Sequence, residues 1–192
     1  MLRILSMIFL ALILAVSVGF TDTAVYAYGY IPPGSRAINP SPTRGRKLGA
    51  FSTEFDTAIK GRASNIRRAS ASINRMVIYP GQEFSYNEAV GPTTQQRGYK
   101  LGTIFVNGKK EMGYGGGVCQ VSSTLYNAAA NAGLTILERH DHSLPVSYVE
   151  AGKEAATSYG VKDFKFINEL SWPIVIASHV DNGKITVSVN AI

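Results

Sequence analysis

The pattern of hydrophobic and polar residues predicts two helices in this 192-residue chain. Apolar side chains recur every three or four residues over 59–73 and again over 118–132. Gly133 is placed to end the second helix. A neighbouring face of that helix carries side chains at spacings of three, four and seven, namely Cys119, Ser122, Ser123 and Tyr126. Cys119 therefore lies beside the apolar stripe and not within it.

Shorter apolar segments between turn residues predict strands around the two helices. They cover residues 48–55, 76–79, 101–106 and 134–139. Asn107-Gly108, after the third of them, is a hairpin dipeptide. A C-terminal hairpin is predicted where residues 173–179 and 184–189 flank Asp181-Asn182-Gly183. The expected fold is α+β, a single compact domain with a central helix carrying the cysteine at its N-terminus, several short strands and a C-terminal β-hairpin.

The N-terminal segment, residues 1–27, has the composition of a signal peptide. Arg3 precedes an apolar run over residues 4–20, and Val25-Tyr26-Ala27 has the pattern of a cleavage site. The apolar run is also long enough for an uncleaved N-terminal anchor. We therefore expect a protein that is secreted, or that is anchored to the membrane on its extracytoplasmic side.

After this segment, residues 28–47 form a proline-rich linker and residues 48–192 form the domain. The chain carries 19 Lys and Arg against 13 Asp and Glu, a formal net charge of +6. Nucleic acid is not an expected partner, because the sequence shows no aromatic-basic motif of a nucleic-acid module and export removes it from the cytoplasm. An anionic cell-wall polymer or a membrane surface would match the charge. Scattered lysines that only favour solubility would give the same balance.

Cys119 is the only cysteine, so the chain cannot form an intramolecular disulfide. It follows Gly115-Gly116-Gly117 at the predicted start of the helix, where the dipole and the backbone amides favour a thiolate. These features are typical of a nucleophile. The alternative is a buried cysteine that packs as a small apolar side chain.

Two of the three histidines follow the strand that comes after the helix. If the chain stays extended there, Glu138, His140 and His142 project from one face. Imidazole titrates near neutral pH, which makes a histidine the expected general base. The histidines could instead bind zinc with Cys119 and Asp141. We expect no metal, because a single cysteine lacks the paired motif of a typical zinc site.

Several segments, in one order, resemble the signature of the VanW-domain family. They are residues 80–87, 90–92, 115–127, 138–143, 145–149 and 158–160. The resemblance covers roughly residues 48–177. It implies an exported protein of Gram-positive-type cell envelopes with a link to antibiotic resistance, and some family members act as cysteine L,D-transpeptidases of peptidoglycan. We expect an acyl transferase that acts on stem peptides; a non-catalytic cell-wall-binding or resistance accessory protein is the alternative.

In that reaction Cys119 would form a thioester with the stem peptide, and no cofactor would be required. His142 is the expected general base, with His140 as the second choice. Glu138 or Asp141 would hold the ring in one tautomer.

Oxyanion donors are expected from the backbone amides of Val118, Cys119 and Gln120. The groove for the stem peptide would be lined by Gly116, Gly117, Ser122, Tyr126, Arg139 and Ser143. The glycines would let the backbone approach the substrate closely. Arg139 would either pair with a substrate carboxylate or face solvent.

Overall fold

The computed structural model of the protein describes residues 45–106 and 108–192. The expected signal peptide and nearly all of the expected linker lie outside these residues. Within them the chain forms three helices and nine strands, which confirms the α+β class. In chain order the elements are β1 (Lys47–Glu54), α1 (Lys60–Ile73), β2 (Val77–Ile78), β3 (Glu83–Ser85), α2 (Tyr86–Val90), β4 (Leu101–Val106), β5 (Lys109–Tyr114), α3 (Val118–Asn131), β6 (Thr135–Glu138), β7 (Lys165–Ile167), β8 (Ile174–Asp181) and β9 (Lys184–Ala191).

The largest sheet has the strand order β1-β9-β8-β2, and all its neighbouring strands are antiparallel. The predicted C-terminal hairpin, β8 and β9, forms its centre. At the turn, Asn182 and Gly183 have φ values of 45° and 79°, the positive values that fit a two-residue turn to twisted strands. Alternate side chains of β9, such as Ile185 and Val187, are fully buried. One face of the sheet therefore packs on the core.

Helices α1 and α3 pack against each other and against this sheet. Their buried residues include Ile66 and Ile73 in α1 and Val121 in α3, as the apolar stripes predict. Gly49 of β1 allows α3 to come close, because a side chain there would overlap the backbone of Ala128. This contact sets how closely α3 packs on the sheet, and Cys119 lies in the first turn of the same helix.

Two smaller sheets complete the domain, one with the order β3-β7-β6 and the other the β4-β5 hairpin. Phe84 of β3 stacks on Phe166 of β7 with ring centroids 4.8 Å apart. The sequence prediction lacks β3, α2 and β7, which are too short to show a period, and β5, which has three charged residues and is exposed over most of its length. Within the described residues, no helix is long and apolar enough to cross a lipid bilayer.

Candidate functional site

A glycine turn leads from β5 into α3 and presents Cys119. Gly115 and Gly117 have φ values of 91° and 105°, which side chains rarely adopt. At Gly116 an added Cβ would lie 2.6 Å from the carbonyl oxygen of Thr103, so the turn fits closely against β4. Cys119 follows in the first turn of α3, where its thiol is partly exposed.

The three amides expected to bind an oxyanion differ in their hydrogen bonds. The amide of Val118 donates to the carbonyl of Gly115, and the amide of Gln120 donates to the carbonyl of Gly117, both at 3.0 Å. Among the residues that the structure describes, the amide of Cys119 has no assigned acceptor. Of the three, it is the amide most available to a ligand at the thiol.

A polar row on α3 binds segment 153–157, which is neither helix nor strand. Ser122 Oγ donates to the carbonyl of Ala155 at 2.6 Å, and the amide of Ala155 donates to Ser123 Oγ at 2.9 Å. One turn further, Asn127 Nδ2 donates to the carbonyl of Lys153 at 2.8 Å. Ser122 is therefore engaged with the protein's own backbone, in the groove where a substrate contact was expected.

The same segment places Thr157 against the thiol. Cys119 Sγ lies 3.4 Å from the carbonyl oxygen, 3.5 Å from the amide nitrogen and 3.7 Å from Oγ1 of Thr157. Thr157 was not singled out in the sequence. It stands between two of the segments that carry the family resemblance, and no periodicity marks it.

Glu138 and His140 form a polar cluster at the end of β6. The strand ends at Glu138, so His140 and His142 lie beyond it. Glu138 Oε1 lies 2.9 Å from His140 Nε2, and its other oxygen lies 2.8 Å from Lys165 Nζ. The hydrogen bonds from Lys165, from His140 and from the amide of Asp163 lower the pKa of Glu138 to about 2. Glu138 thus interacts with His140 and orients that ring.

His142 lies in a different, largely apolar environment. Its ring makes edge-to-face contacts with Phe105 and Tyr148, at centroid distances of 6.1 and 6.3 Å. Nε2 lies 3.4 Å from the hydroxyl of Tyr148, and within the described residues Nδ1 is buried without a hydrogen-bond partner. Burial lowers the pKa of His142, so the ring is neutral at neutral pH. In the described part of the chain, neither His140 nor His142 forms a hydrogen bond with the Cys119 thiol.

Two further residues, Arg62 and Tyr148, belong to the candidate site, and the sequence reasoning missed both. The ring of Tyr148 lies beneath the guanidinium of Arg62, whose central carbon is 5.8 Å from the ring centroid. Burial raises the pKa of Tyr148, and the negative charge that Cys119 can carry raises it further. Tyr148 lies within a segment that resembles the family signature, which was the one available signal. Arg62 lies off the apolar stripe of α1, where periodicity alone predicts the polar face of that helix.

Arg139 and Tyr126 pack against each other beside the polar row. Arg139 Nη1 lies 2.7 Å from Asp141 Oδ1 and donates to the carbonyl of Glu154 at 2.7 Å. Its guanidinium carbon is 5.4 Å from the centroid of the Tyr126 ring. Ser143 is exposed. The guanidinium of Arg139 and the carboxylate of Asp141 therefore interact with each other within the protein. Arg139 also connects residues 139–143, which contain both histidines, to Glu154.

The arrangement bears on the zinc alternative. His140 contacts Glu138, while His142 contacts Tyr148. In residues 45–106 and 108–192, no three His, Cys, Asp or Glu side chains form a group that could hold a metal ion.

Comparison with known proteins identifies the family. Residues 61–190 match the family described as VanW like protein. The chain is 40% identical over 143 residues to the uncharacterized protein YoaR of Bacillus subtilis (strain 168), covering 74% of this chain and 47% of that protein. It is 31% identical over 139 residues to the vancomycin B-type resistance protein VanW of Enterococcus faecalis (strain ATCC 700802 / V583), covering 69% and 50%.

The chain spans about half the length of these curated relatives. No solved structure matches it. The family match covers most of the described domain, including the glycine turn, Cys119 and both histidines of the candidate site. The chain belongs to the VanW family.

Proposed function

We propose that the protein is a cell-envelope acyl transferase that exchanges peptidoglycan stem peptides through a thioester on Cys119, as an L,D-transpeptidase does. The observation that carries this proposal is the position of Cys119. Cys119 is half-buried in the first turn of α3, one residue after a glycine turn, and among the described residues its own amide donates no hydrogen bond. Kinship with a vancomycin-resistance protein supports a role in the cell envelope or in glycopeptide resistance.

The first half of the reaction acylates the cysteine. The Cys119 thiolate attacks the carbonyl carbon of the third residue of a donor stem. The amide bond to the terminal D-alanine breaks, and the leaving amine takes up a proton. In the second half, an amine of an acceptor stem attacks the thioester, its proton is removed, and the C–S bond breaks to regenerate the thiolate. The amide of Cys119 would donate to the oxyanion that forms at each attack.

His142 is the proposed proton acceptor, and it would act through the hydroxyl of Tyr148. Its ring is neutral at neutral pH, as a base must be, because burial lowers its pKa. The Tyr148 hydroxyl lies 3.4 Å from His142 Nε2, and a negative charge on Cys119 contributes to the raised pKa of Tyr148. Since the pKa of Tyr148 is raised by burial, this hydroxyl stays protonated and can accept one proton while donating another.

The second candidate is a wall-binding protein that uses the same groove without chemistry. The observation in its favour is that, in the described residues, no histidine ring is hydrogen-bonded to the thiol. A binding protein would retain its ligand after Cys119→Ala, whereas an acyl transferase would lose its covalent intermediate.

Intact-mass measurement tests the proposal directly. After incubation with a disaccharide-tetrapeptide, the protein should gain the mass of the donor stem without its terminal D-alanine. Cys119→Ala should show no gain while keeping its circular dichroism spectrum and melting temperature. A wild-type protein that binds the tetrapeptide but never gains mass would support the wall-binding alternative.

We also propose that the protein acts outside the cytoplasmic membrane, since peptidoglycan stems are cross-linked there. Fractionation of cells that express the full chain should place the protein in the medium or on the outer side of the membrane. Cytoplasmic recovery of the full-length chain would contradict this location.

A further inference from the structure

Arg62 brings a positive charge to the candidate site without a partner of opposite charge. It lies on α1, partly buried, and its stem packs on the glycine turn, where an added Cβ on Gly117 would be 3.0 Å from Arg62 Cγ. In the described part of the chain, no carboxylate lies within salt-bridge distance of this guanidinium. Burial lowers the pKa of Arg62, and the charges that Tyr148 and Cys119 can carry oppose that effect. The group nevertheless remains a cation at any physiological pH.

Gln120 holds this guanidinium in place. Gln120 Nε2 donates to Thr53 Oγ1 at 2.9 Å and to the carbonyl of Glu54 at 2.8 Å. With both amide protons used, Gln120 Oε1 faces Arg62 and accepts a hydrogen bond from Nη2. Gln120 is itself buried in the first turn of α3. A neutral side chain thus holds the cation against the glycine turn and the first turn of α3, which carries Cys119, and provides no counterion for its charge.

A partly buried charge without a counterion is costly, so its retention beside a reactive group calls for an anionic ligand. Arginine is suited to carboxylates, because its planar fork donates two parallel hydrogen bonds. In the proposed reaction, the leaving D-alanine carries the carboxylate closest to the scissile bond. Three covalent bonds join its carboxylate carbon to the attacked carbonyl carbon, a separation of at most about 4 Å.

We propose that Arg62 forms a carboxylate-binding subsite that recognises the C-terminal D-alanine of the donor stem. This inference rests on the proposed function, and it names the part of the substrate that the site selects. Arg62 would hold the leaving residue by its carboxylate and so place the preceding carbonyl carbon over Cys119. After the amide bond breaks, D-alanine departs with that carboxylate, and the subsite is empty when the acceptor amine arrives.

The first test needs no substrate. The rates at which iodoacetate, an anion, and iodoacetamide, a neutral analogue, alkylate Cys119 are measured at one pH and low salt. The ratio of the iodoacetate rate to the iodoacetamide rate should be higher for Cys119 than for N-acetylcysteine amide. In Arg62→Gln this ratio should fall roughly three- to tenfold, as expected for the loss of one partly screened charge. Arg67→Gln, an exposed arginine on the same helix, makes the same change in net charge and should leave the ratio unaltered.

The second test uses two donor stems, a disaccharide-tetrapeptide with a free C-terminal carboxylate and the same compound as its C-terminal amide. Thioester formation should be faster with the carboxylate in the wild-type protein. Arg62→Gln should lower that rate at least tenfold while changing the rate for the amide little. Arg62→Lys should keep part of the preference, since it retains the charge without the fork.

The outcomes separate the two proposals. An unchanged alkylation ratio, or equal losses on both stems, would overturn the carboxylate subsite even if the thioester forms. No thioester on either stem, together with a ratio that depends on Arg62, would overturn the acyl-transfer proposal and leave an anion site beside the thiol. If Arg62→Gln does not fold, the wild-type protein still tests the subsite. An alkylation ratio of Cys119 that is no higher than the ratio of N-acetylcysteine amide rules the subsite out.

Discussion

His140 and His142 are two residues apart, yet their rings lie in different surroundings. His140 interacts with Glu138 in a cluster that also includes Lys165. His142 packs edge-on between Phe105 and Tyr148. Because only the second ring connects with the residues around Cys119, substitutions of the two histidines should have different consequences.

We expect His142→Ala to lower the rate of thioester formation by about 10²- to 10⁴-fold, the usual contribution of a general base. His140→Ala should weaken the reaction less, since it disturbs the loop and not the proton path. Stopped reactions followed by intact mass give the rates. His179→Ala, which changes an exposed histidine of β8, is the matched control. Full activity in both single variants would exclude either ring as the base.

The ionisation of His142 should be visible by NMR. Burial lowers its pKa, so its ring should titrate with a midpoint below the ordinary value of 6.5. The folded state then binds fewer protons than the unfolded state, and stability falls as the pH drops from 6.5 through the lower midpoint. Urea unfolding at pH 7.5 and 5 should show this loss in the wild-type protein and a smaller loss in His142→Gln. A midpoint at or above 6.5 would contradict the buried neutral ring.

Arg62 shows why the site was only partly predictable from the sequence. Local periodicity correctly placed Cys119 beside the apolar stripe of α3, and the predicted strand over residues 134–139 drew attention to the two histidines that follow it. Periodicity also put Arg62 on the polar side of α1, which for an isolated helix means solvent. Its place beside Gly117 and Tyr148 depends on how α1 packs against α3, a long-range contact that no local pattern records.

Among the elements, α3 has two roles at once. Its apolar stripe packs into the core, and its polar row binds segment 153–157 through side chains such as Ser123 and Asn127. The helix was predicted because its period is regular. Segment 153–157, to which the helix binds, was not predicted. It has neither a period nor a turn signal, and it is held by side chains of α3 that lie far from it in the sequence.

Ser123→Ala should destabilise the domain by about 1–3 kcal/mol, because the buried amide of Ala155 would lose its acceptor. The free energy of unfolding in urea measures the effect. Ser143→Ala, which changes the exposed serine after His142, should change the free energy of unfolding by less than about 0.5 kcal/mol. Equal effects in the two variants would mean that the polar row does not hold the segment.

The link between β6 and β7 should depend on pH. Glu138 joins the two strands through Lys165, and its pKa is lowered from 4.5 to about 2 in the folded protein. Its contribution is therefore present above about pH 4.5 and is lost as the pH falls through 2. Wild type should exceed Glu138→Gln in stability at pH 6, and the gap should close towards pH 2. A gap that is independent of pH would rule out this ion pair as its source.

At the scale of the whole molecule, a second site besides that of Arg62 contains two arginines. Arg68, Ser72, Gln96, Arg97, Gly98 and Tyr99 line an open cleft. Within the described residues neither Arg68 nor Arg97 forms a salt bridge, and the hydroxyl of Tyr99 is buried without a hydrogen-bond partner. We propose that this cleft contacts the phosphate groups of an anionic wall polymer.

The double variant Arg68→Gln/Arg97→Gln should bind such a polymer several-fold more weakly, and its binding should depend less on salt. Lys109→Gln/Lys110→Gln, on the β4-β5 hairpin, makes the same change in net charge and serves as control. Co-sedimentation with teichoic-acid-bearing cell walls at 50 and 300 mM salt measures the difference. Equal binding by the two double variants would show that net charge alone attracts the polymer.

The pairing of β1 with β9 makes the position of α3, and of Cys119 in it, depend on both ends of the domain. The strand that opens the domain finds its partner only in the strand that closes it, so this sheet forms from contacts that are distant along the chain. Before β9 forms, β1 has no neighbouring strand in the sheet. The surface that includes Gly49, on which α3 packs, is then incomplete. A chain interrupted before β9 would lack this sheet, so the thioester chemistry that we propose for Cys119 should require the complete domain.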